Sequence, residues 1–287
     1  MKRYYRFGGV TIALSMPEEW FFDEEYRLEP FGAEPSENMW LFRFEKTDVM
    51  PPPRGKLVHT KPNLQIYATD EGSIRYRGYC LDCWEDGEMR AEIQDKTVTV
   101  HLKQEIFPGK VSAKYVLDIL SAEHLIARSD GFVLHCSYVD CDGKAILFTA
   151  PSETGKSTQA DLWHQYRGAE IINGDRAAIR LENGVLLAEG IPYAGSSQYC
   201  KNRTLPVLAV VYLGQAPRTT IRKMRGYEAF ARIWEGISVN TWDKEDMERI
   251  SAVVQKAAAE IPVYHLCCTP DESAVIALED ELRKLVK

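Results

Sequence analysis

The sequence predicts a mixed α/β protein, with a β-rich N-terminal module over residues 1–105 and a core over residues 106–287. Short β-rich runs separated by turn residues dominate the first part. In the second part, apolar runs of strand length alternate with segments of helical periodicity. A strand, a loop and a helix are predicted in direct succession over residues 145–163, and we expect the core to be organised around them.

The composition narrows the class of protein. The chain has 287 residues, of which 45% are hydrophobic, enough to fill a sizeable core. The net charge is −7 and no basic stripe is interleaved with aromatic residues, so we do not expect a nucleic-acid partner. Neither an export signal after the charged N-terminus nor a run of 18 apolar residues is present, so we expect a cytoplasmic protein without a membrane partner.

The N-terminal module is predicted to be mainly antiparallel. Most of its apolar runs alternate with period two, and Pro51–Gly55 and Asp70–Gly72 interrupt them as turns would. The predicted strands are Val10–Leu14, Met39–Phe44, Leu64–Ala68, Ser73–Arg77 and Thr97–Leu102. We find no catalytic pattern in this module.

Seven cysteines, an odd number in a chain without an export signal, favour reduced thiols. Cys80 and Cys83 have the two-residue spacing of a zinc knuckle or a redox pair. No second pair follows at a suitable distance, which argues against a zinc site.

In the core, the periodicity predicts one helix over Val111–Arg128 and a strand over Gly131–Val139 that turns at Asp142-Gly143 into the next strand. Further predicted elements are a helix over Ser157–Tyr166, strands over Ala169–Asn173, Leu205–Leu213 and Val263–Leu266, helices over Tyr227–Ile233 and Lys244–Ala259, and a terminal helix from Pro270.

The stretch from Ala150 to Thr158 reads Ala-Pro-Ser-Glu-Thr-Gly-Lys-Ser-Thr, which is the pattern GxxxxGK[ST] with alanine in place of the first glycine. Amides of such a loop and of the first helical turn can converge on a phosphate chain. Lys156 adds a positive charge and Ser157 can hold Mg²⁺. The residues predicted to bind a nucleotide are therefore Ser152, Glu153, Thr154, Gly155, Lys156, Ser157 and Thr158.

Two further residues are candidates for the chemistry. Asp175 follows the strand after the loop, where a carboxylate can bind the metal or take a proton from an attacking hydroxyl; an ordinary Gly-Asp turn is the alternative. His135 lies on the predicted strand Gly131–Val139, one strand away from the loop. A role in proton handling and a purely structural hydrogen bond are equally open for it.

The stretch from Gly190 to Arg203 is predicted to be a long polar loop beside a core strand. This loop could bind substrate, or it could simply be a solvated connection between two strands; both interpretations stay open. The candidate substrate-binding residues are Ser196, Ser197, Lys201, Asn202 and Arg203.

Several of these stretches together resemble the HPr kinase/phosphorylase family, within the phosphoenolpyruvate-carboxykinase-like P-loop group. The resemblance lies in Leu134–Ser137, the strand Gly143–Phe148, the loop Ala150–Thr158, Asn173–Arg176, Pro192–Ser197 and Pro262–Glu272. It covers the chain from about Gly131 onwards and is loose in the N-terminal module. Some similar proteins phosphorylate a serine of a small precursor peptide.

The resemblance implies a P-loop core of that family's type. It also implies Lys156 on the β and γ phosphates, Ser157 and Asp175 on Mg²⁺, and His135 as the active-site histidine. The sequence departs from the family at three positions. Ala150 and Glu153 stand where glycines are usual, and Gly174 replaces the first of two aspartates, the one that activates the acceptor hydroxyl.

Taken together, the sequence predicts an HPr-kinase-like phosphotransferase that uses ATP or another nucleoside triphosphate with Mg²⁺. The acceptor would be a hydroxyl, first of all a serine, on a peptide, protein or small molecule, and an oligomer is compatible with the sequence. Gly174 and Glu153 keep open a second hypothesis, a nucleotide-binding regulatory protein with little or no turnover. Carboxykinase-like chemistry on a small acid is a weaker third, because no lysine–histidine pair of metal ligands stands out.

Overall fold

A computed structural model describes residues 1–22, 27–52, 54–61, 64–68, 75–80, 88–103, 111 and 113–285. The strands are β1 (Lys2–Phe7), β2 (Val10–Ser15), β3 (Trp40–Thr47), β4 (Lys56–Lys61), β5 (Leu64–Ala68), β6 (Arg75–Cys80), β7 (Glu88–Gln94), β8 (Thr97–Lys103), β9 (Gly131–Cys141), β10 (Lys144–Thr149), β11 (Glu170–Asn173), β12 (Arg176–Glu182), β13 (Val185–Gly190), β14 (Thr204–Gln215), β15 (Thr220–Met224), β16 (Ile237–Ser238) and β17 (Val263–Cys268). The helices are α1 (Ala113–Leu120), α2 (Ala122–Ala127), α3 (Lys156–Arg167), α4 (Gly226–Glu235), α5 (Lys244–Glu260) and α6 (Glu272–Arg283).

The chain divides into two compact units. The first comprises Met1–Arg6 and Val10–Ser121, and the second comprises Phe7–Gly9 and Ala122–Lys287. The division therefore falls at Ser121, later in the chain than residue 105, the end of the module that the sequence predicts. The mixed α/β class is confirmed, because the two units contain two large sheets together with the helices α1 to α6.

The first unit is built on a sheet whose described strands follow the order β1-β2-β3-β8-β7-β6-β5-β4. The pairs from β8 to β4 are antiparallel, as predicted, whereas β3 runs parallel to both β2 and β8. In β8, buried Val98, Val100 and Leu102 alternate with less buried residues. One face of this strand is therefore packed against a core, as period two requires.

The second unit contains a sheet in which β10, β9, β12, β13 and β14 pair in that order, and β14 pairs again with β10. Among the described strands, these pairings form a closed circuit. The last pair is parallel, and β17 continues the sheet parallel to β14. Because β10 and β14 point the same way, the segments that follow both strands leave the same end of the sheet, and the 150–155 loop is one of them.

Two apolar clusters fill the second unit. One packs α4 and α5 against the sheet, and it includes Leu134, Ile233 and Val254. The other packs α3 and α6 against β10, β14 and β17, and it includes Phe148 and Leu278. The sheet is thus covered by helices, and its strands can be apolar along most of their length.

Several predicted elements are confirmed within a residue or two, among them α3, α5 and the turn at Asp142 and Gly143, where both residues have positive φ. The prediction of a single helix over Val111–Arg128 is wrong. This segment contains two helices, α1 and α2. Ser121 separates them and has φ 48°, a left-handed conformation that a continuous helix does not contain. In the described part of the chain, no helix is both long enough and apolar enough to cross a membrane.

Candidate active site

The 150–155 loop connects β10 to α3 and is anchored in the core at both ends. Phe148, on β10, and Trp163, on α3, are both buried in one cluster, and their ring centroids lie 6.4 Å apart. Ala150 is also buried, with 5% of its surface exposed, so the site of the missing glycine is packed against the same core. The order strand, loop and helix that the sequence predicts is therefore present and rigidly supported.

The N-terminus of α3 is open to a ligand. Gly155 precedes the helix at φ 113°, and among the described residues no side chain caps the helix there. In contrast, Asp243 caps α5 and Asp271 caps α6 with side-chain hydrogen bonds. The first-turn amides of α3 and the positive end of its dipole are thus free to bind an anion.

Glu153 has a strained backbone. Its φ of 65° lies in the left-handed region, which glycine adopts without cost and other residues rarely do. The loop therefore keeps the shape that a glycine would favour while presenting a carboxylate.

Lys156 turns back onto its own loop. Its Nζ donates hydrogen bonds to the carbonyl oxygens of Ala150, at 3.1 Å, and Pro151, at 3.3 Å. Burial lowers the pKa of the Lys156 ammonium, and the nearby Asp175 carboxylate opposes that shift. The ammonium group is thus held in place by neutral oxygens that a phosphate could replace.

His135 and Asp175 form a pair. Nε2 of His135 lies 3.2 Å from Oδ1 of Asp175, and Nε of Arg176 lies 3.1 Å from the other carboxylate oxygen. The hydrogen bond from His135 lowers the pKa of Asp175; burial opposes this, and the charges of Arg176, His135 and Lys156 reinforce it. Asp175 therefore remains ionised well below neutral pH, as a metal ligand or an orienting carboxylate must.

Asn173, which was not among the residues predicted from the sequence, fixes the position of Asp175. Its buried side-chain oxygen accepts hydrogen bonds from the backbone N–H groups of Asp175 and Arg176, and its amide donates to the carbonyls of Ile191 and Tyr193. An Asn whose side chain accepts from the amides two and three residues further on is a recognisable local pattern. The sequence Asn-Gly-Asp could have indicated it.

One cavity of about 590 Å³ brings these groups together. It is lined by the loop, the start of α3, β9, the 173–175 turn and the 194–199 segment. Its lining includes the predicted residues His135, Ser152, Glu153, Lys156, Ser157, Asp175, Ser196 and Ser197, together with Ser137, Asp161 and Tyr199, which were not predicted.

A second cavity, of about 530 Å³, lies on another side of the same loop. It is lined by Glu153, Thr154, Gly155 and Thr158, by the end of β14 and the following residues 216–217, and by Cys268–Pro270. Glu153 lines both cavities. All seven loop and helix residues predicted to bind a nucleotide thus face one cavity or the other.

Gly174 has no room for a side chain. A Cβ placed on it would lie 2.3 Å from Oγ of Ser197 and 2.6 Å from the Cβ of Ser197. The space that an aspartate side chain at position 174 would need is therefore filled by Ser197. This replacement of one side chain by another could not be found from the sequence, because the two residues are far apart in the chain.

Three of the predicted substrate-binding residues lie outside the first cavity. Lys201 pairs with Glu170 at 2.7 Å, and Arg203 pairs with Asp140 at 2.9 Å. Asn202 does not line either cavity. A role for these three residues in substrate binding stays a prediction. The pair Cys80 and Cys83 falls largely outside the described residues, which include only the backbone of Cys80.

Comparison with known proteins adds little to this geometry. No protein-family model matches the chain, and no curated protein sequence matches it. One similar solved structure is that of the Hpr(Ser) kinase/phosphatase from Coxiella burnetii, with a TM-score of 0.34 and 12% identity over 53% of this chain and 92% of that chain. A likeness this weak supports no conclusion about function, which therefore has to be inferred from the residues of the site.

Proposed function

We propose that the protein binds a nucleoside triphosphate, ATP in the first instance, at the 150–155 loop and transfers its γ-phosphoryl group to a hydroxyl. The observation that carries this proposal is that one cavity is lined by Lys156, Ser157 and the His135–Asp175 pair. These residues come from three separate segments of the chain. A cation, a hydroxyl, an ionised carboxylate and an imidazole beside an uncapped helix N-terminus are the groups that phosphoryl transfer uses.

The charges suit the phosphate chain. The amides at the start of α3 would bind its oxygens, and Lys156 would exchange the carbonyls of Ala150 and Pro151 for phosphate oxygens. The exchange is favourable because the ammonium group, now bonded to neutral carbonyl oxygens, would bond to negatively charged oxygens in a partly buried place. The second cavity, next to Thr154 and Thr158, would receive the nucleoside.

The donor set also fits Mg²⁺. Ser157 and Asp175 offer a hydroxyl and an ionised carboxylate in the same cavity, and magnesium prefers oxygen ligands. Bound there with the nucleotide, the ion would neutralise charge on the β and γ phosphates. Asp175 would hold it while staying ionised, because its pKa is lowered by His135 and the nearby cations.

The proton of the attacking hydroxyl would pass to the His135–Asp175 pair. Since the pKa of Asp175 is lowered, its carboxylate is a weak base, and we assign the proton to the imidazole of His135. Asp175 would then orient His135 and stabilise the imidazolium that forms. Proton transfer contributes modestly to such reactions, because most of the catalysis comes from positioning and charge.

Calorimetric titration with Mg-ATP tests the binding half of the proposal. Lys156→Ala should weaken affinity by about 10- to 100-fold, which corresponds to about 1.5–3 kcal/mol for a hydrogen bond to a charged group. Lys144→Ala, an exposed lysine at the start of β10, is the matched control and should bind as the parent does. Equal affinity in the parent and Lys156→Ala would overturn the proposal.

A second function has its own observation. Ser197 fills the place of the usual base beside Gly174, which favours a nucleotide-binding regulatory protein that turns over slowly or not at all. Following ADP release from Mg-ATP, with and without peptides and small molecules that carry hydroxyls, separates the two functions. Tight binding without ADP release in any mixture would favour the regulatory protein.

A further inference from the structure

We propose that Ser197 is an internal phosphoryl acceptor, so that the protein phosphorylates its own 191–203 loop. This inference rests on the proposed phosphoryl-transfer function and names one acceptor for it. A serine hydroxyl is already present in the reaction cavity, whose lining includes Ser197, Asp175 and Lys156. No other molecule has to bring the acceptor group there.

The close packing of two short segments positions this hydroxyl. Ser197 Oγ would lie 2.3 Å from a Cβ on Gly174, and Asp175 Cγ would lie 2.8 Å from a Cβ on Gly195, which has φ +56°. Glycine at both positions therefore lets the segment that contains Ser197 lie directly against the 174–175 turn. The acceptor oxygen thus lies against Gly174, the residue before Asp175, in the cavity that the His135–Asp175 pair also lines.

The hydrogen bonds of Ser197 suit a nucleophile. Its backbone N–H donates to the carbonyl of Ala194 at 2.9 Å, which fixes the turn. Its Oγ accepts a hydrogen bond from the N–H of Tyr199 at 3.1 Å. An oxygen that accepts one hydrogen bond still has its own proton to donate and a second lone pair with which to attack.

The transfer step balances without any further reactant. Oγ of Ser197 attacks the γ-phosphorus of ATP, and a new P–O bond forms as the bond to the β,γ-bridging oxygen breaks. ADP leaves with that electron pair, and the hydroxyl proton passes to the His135–Asp175 pair. The product is a phosphoserine whose charge would lie in the cavity that Lys156 lines.

Intact-protein mass spectrometry after incubation with Mg-ATP, followed by peptide sequencing, tests the proposal. The parent protein should gain one phosphoryl group, located on Ser197, and Ser197→Ala should gain none. In the matched variant Ser251→Ala, whose serine lies on α5 and lines neither cavity, the phosphoryl group should still be found on Ser197. A phosphoryl group on Ser196, or undiminished labelling of Ser197→Ala, would overturn the proposal.

Two further measurements complete the test. The labelling rate should not depend on protein concentration, and a Lys156→Ala chain mixed with active protein should stay unlabelled, because the acceptor lies in its own active site. If the parent releases ADP or phosphorylates an added acceptor but stays unlabelled itself, only this inference fails. If it neither binds nor consumes Mg-ATP, the proposed function fails as well.

Discussion

The second unit contains two histidine–aspartate pairs in opposite surroundings. His124, on α2, lies 2.7 Å from Asp246, on α5, and the side chains are 9% and 0% exposed. His135 lies 3.2 Å from Asp175, and these side chains are 36% and 24% exposed. His124–Asp246 is therefore a closed pair, buried where α2 meets α5. His135–Asp175 is an open pair, which lines a cavity.

The surroundings decide what each pair can do. The carboxylate of Asp246 also accepts from Arg128 and Asn240, while Asp243, which caps α5, lies within 3.7 Å of His124. Such a cluster has the residues of a metal site, but Arg128 already supplies its positive charge. The His135–Asp175 pair instead lines a cavity that has room for a substrate, and Lys156 adds a positive charge to the same cavity. The comparison teaches that exposure, rather than residue type, separates a pair fixed in the core from one that a substrate could reach.

The largest effect should come from breaking the closed pair. Asp246→Asn removes the fully buried carboxylate that pairs with His124 and Arg128, so that Asp243 and the more exposed Glu245 are the acidic groups left beside them. We expect the free energy of unfolding to fall by about 3–5 kcal/mol, the usual loss when one partner of a buried pair is removed. Urea denaturation followed by fluorescence measures it. A change under about 1 kcal/mol, within the range of surface substitutions, would contradict the structural role of this cluster.

The open pair should behave in the opposite way. Asp175→Asn should lower the rate of phosphoryl transfer by about 10²- to 10³-fold, equivalent to about 2.7–4 kcal/mol, because a charge aimed at the reacting groups is lost. Its effect on unfolding should stay below about 1 kcal/mol, since the pair is partly exposed. The rate of ADP release measures the first effect, and urea denaturation of the same variant measures the change in the free energy of unfolding. A variant that unfolds easily but keeps its rate would reverse the assignment of the two pairs.

The pH dependence of stability sharpens the comparison further. Burial by itself would raise the pKa of Asp246, but hydrogen bonds from His124 and Asn240 and the charge of Arg128 lower it overall. The folded state therefore binds that proton less readily than the unfolded chain, whose aspartates titrate near about pH 3.9. The stability that this carboxylate contributes is fully present above that pH and is lost as the pH falls through the folded pKa.

Urea titrations between about pH 6 and pH 3 should therefore show the parent losing stability at the acid end. Asp246→Asn, which cannot titrate there, should show a visibly flatter profile over the same range. Asp175→Asn should flatten it less, because its carboxylate is more exposed. If stability falls with pH equally in the parent and in Asp246→Asn, the ionisation of Asp246 does not contribute to the pH dependence of stability.

The smallest expected effect concerns Glu153. Glu153→Gly removes a left-handed glutamate at φ 65°, so the folded state should gain about 0.5–1 kcal/mol after the extra freedom of glycine in the unfolded chain is subtracted. It also removes a negative charge that lines both cavities, so affinity for ATP measured without magnesium should rise.

Asn183→Gly is the matched control, because Asn183 has φ 50° in a turn between β12 and β13 and lines neither cavity. It should leave ATP affinity unchanged. If Glu153→Gly weakens the binding of metal-free ATP, the carboxylate does not face the phosphates.

Much of this site could be predicted from local sequence. The 150–158 motif, the apolar strand before it and the helix after it are encoded within about twenty residues, and local periodicity and turn chemistry suffice to find them. The turn at Asp142 and Gly143 is of the same kind. The break at Ser121 could not be found, since the residues on both sides have the apolar spacing of one helix.

The remaining features depend on pairing between distant segments. Nothing in the local sequence states that Ser197 fills the space beside Gly174, or that Lys201 and Arg203 pair with Glu170 and Asp140 instead of lining the cavity. Likewise, His124 and Asp246 are separated by most of the second unit and meet only because α2 packs against α5. Such contacts are set by the tertiary fold, which periodicity does not encode.

The most direct test of the central claim is a crystal structure with magnesium and a nonhydrolysable ATP analogue. The account predicts phosphates on the amides of residues 154–158, with Nζ of Lys156 moved from the carbonyls of Ala150 and Pro151 onto a phosphate oxygen and the His124–Asp246 pair unchanged. An analogue bound elsewhere, with Lys156 still hydrogen-bonded to its own loop, would contradict it.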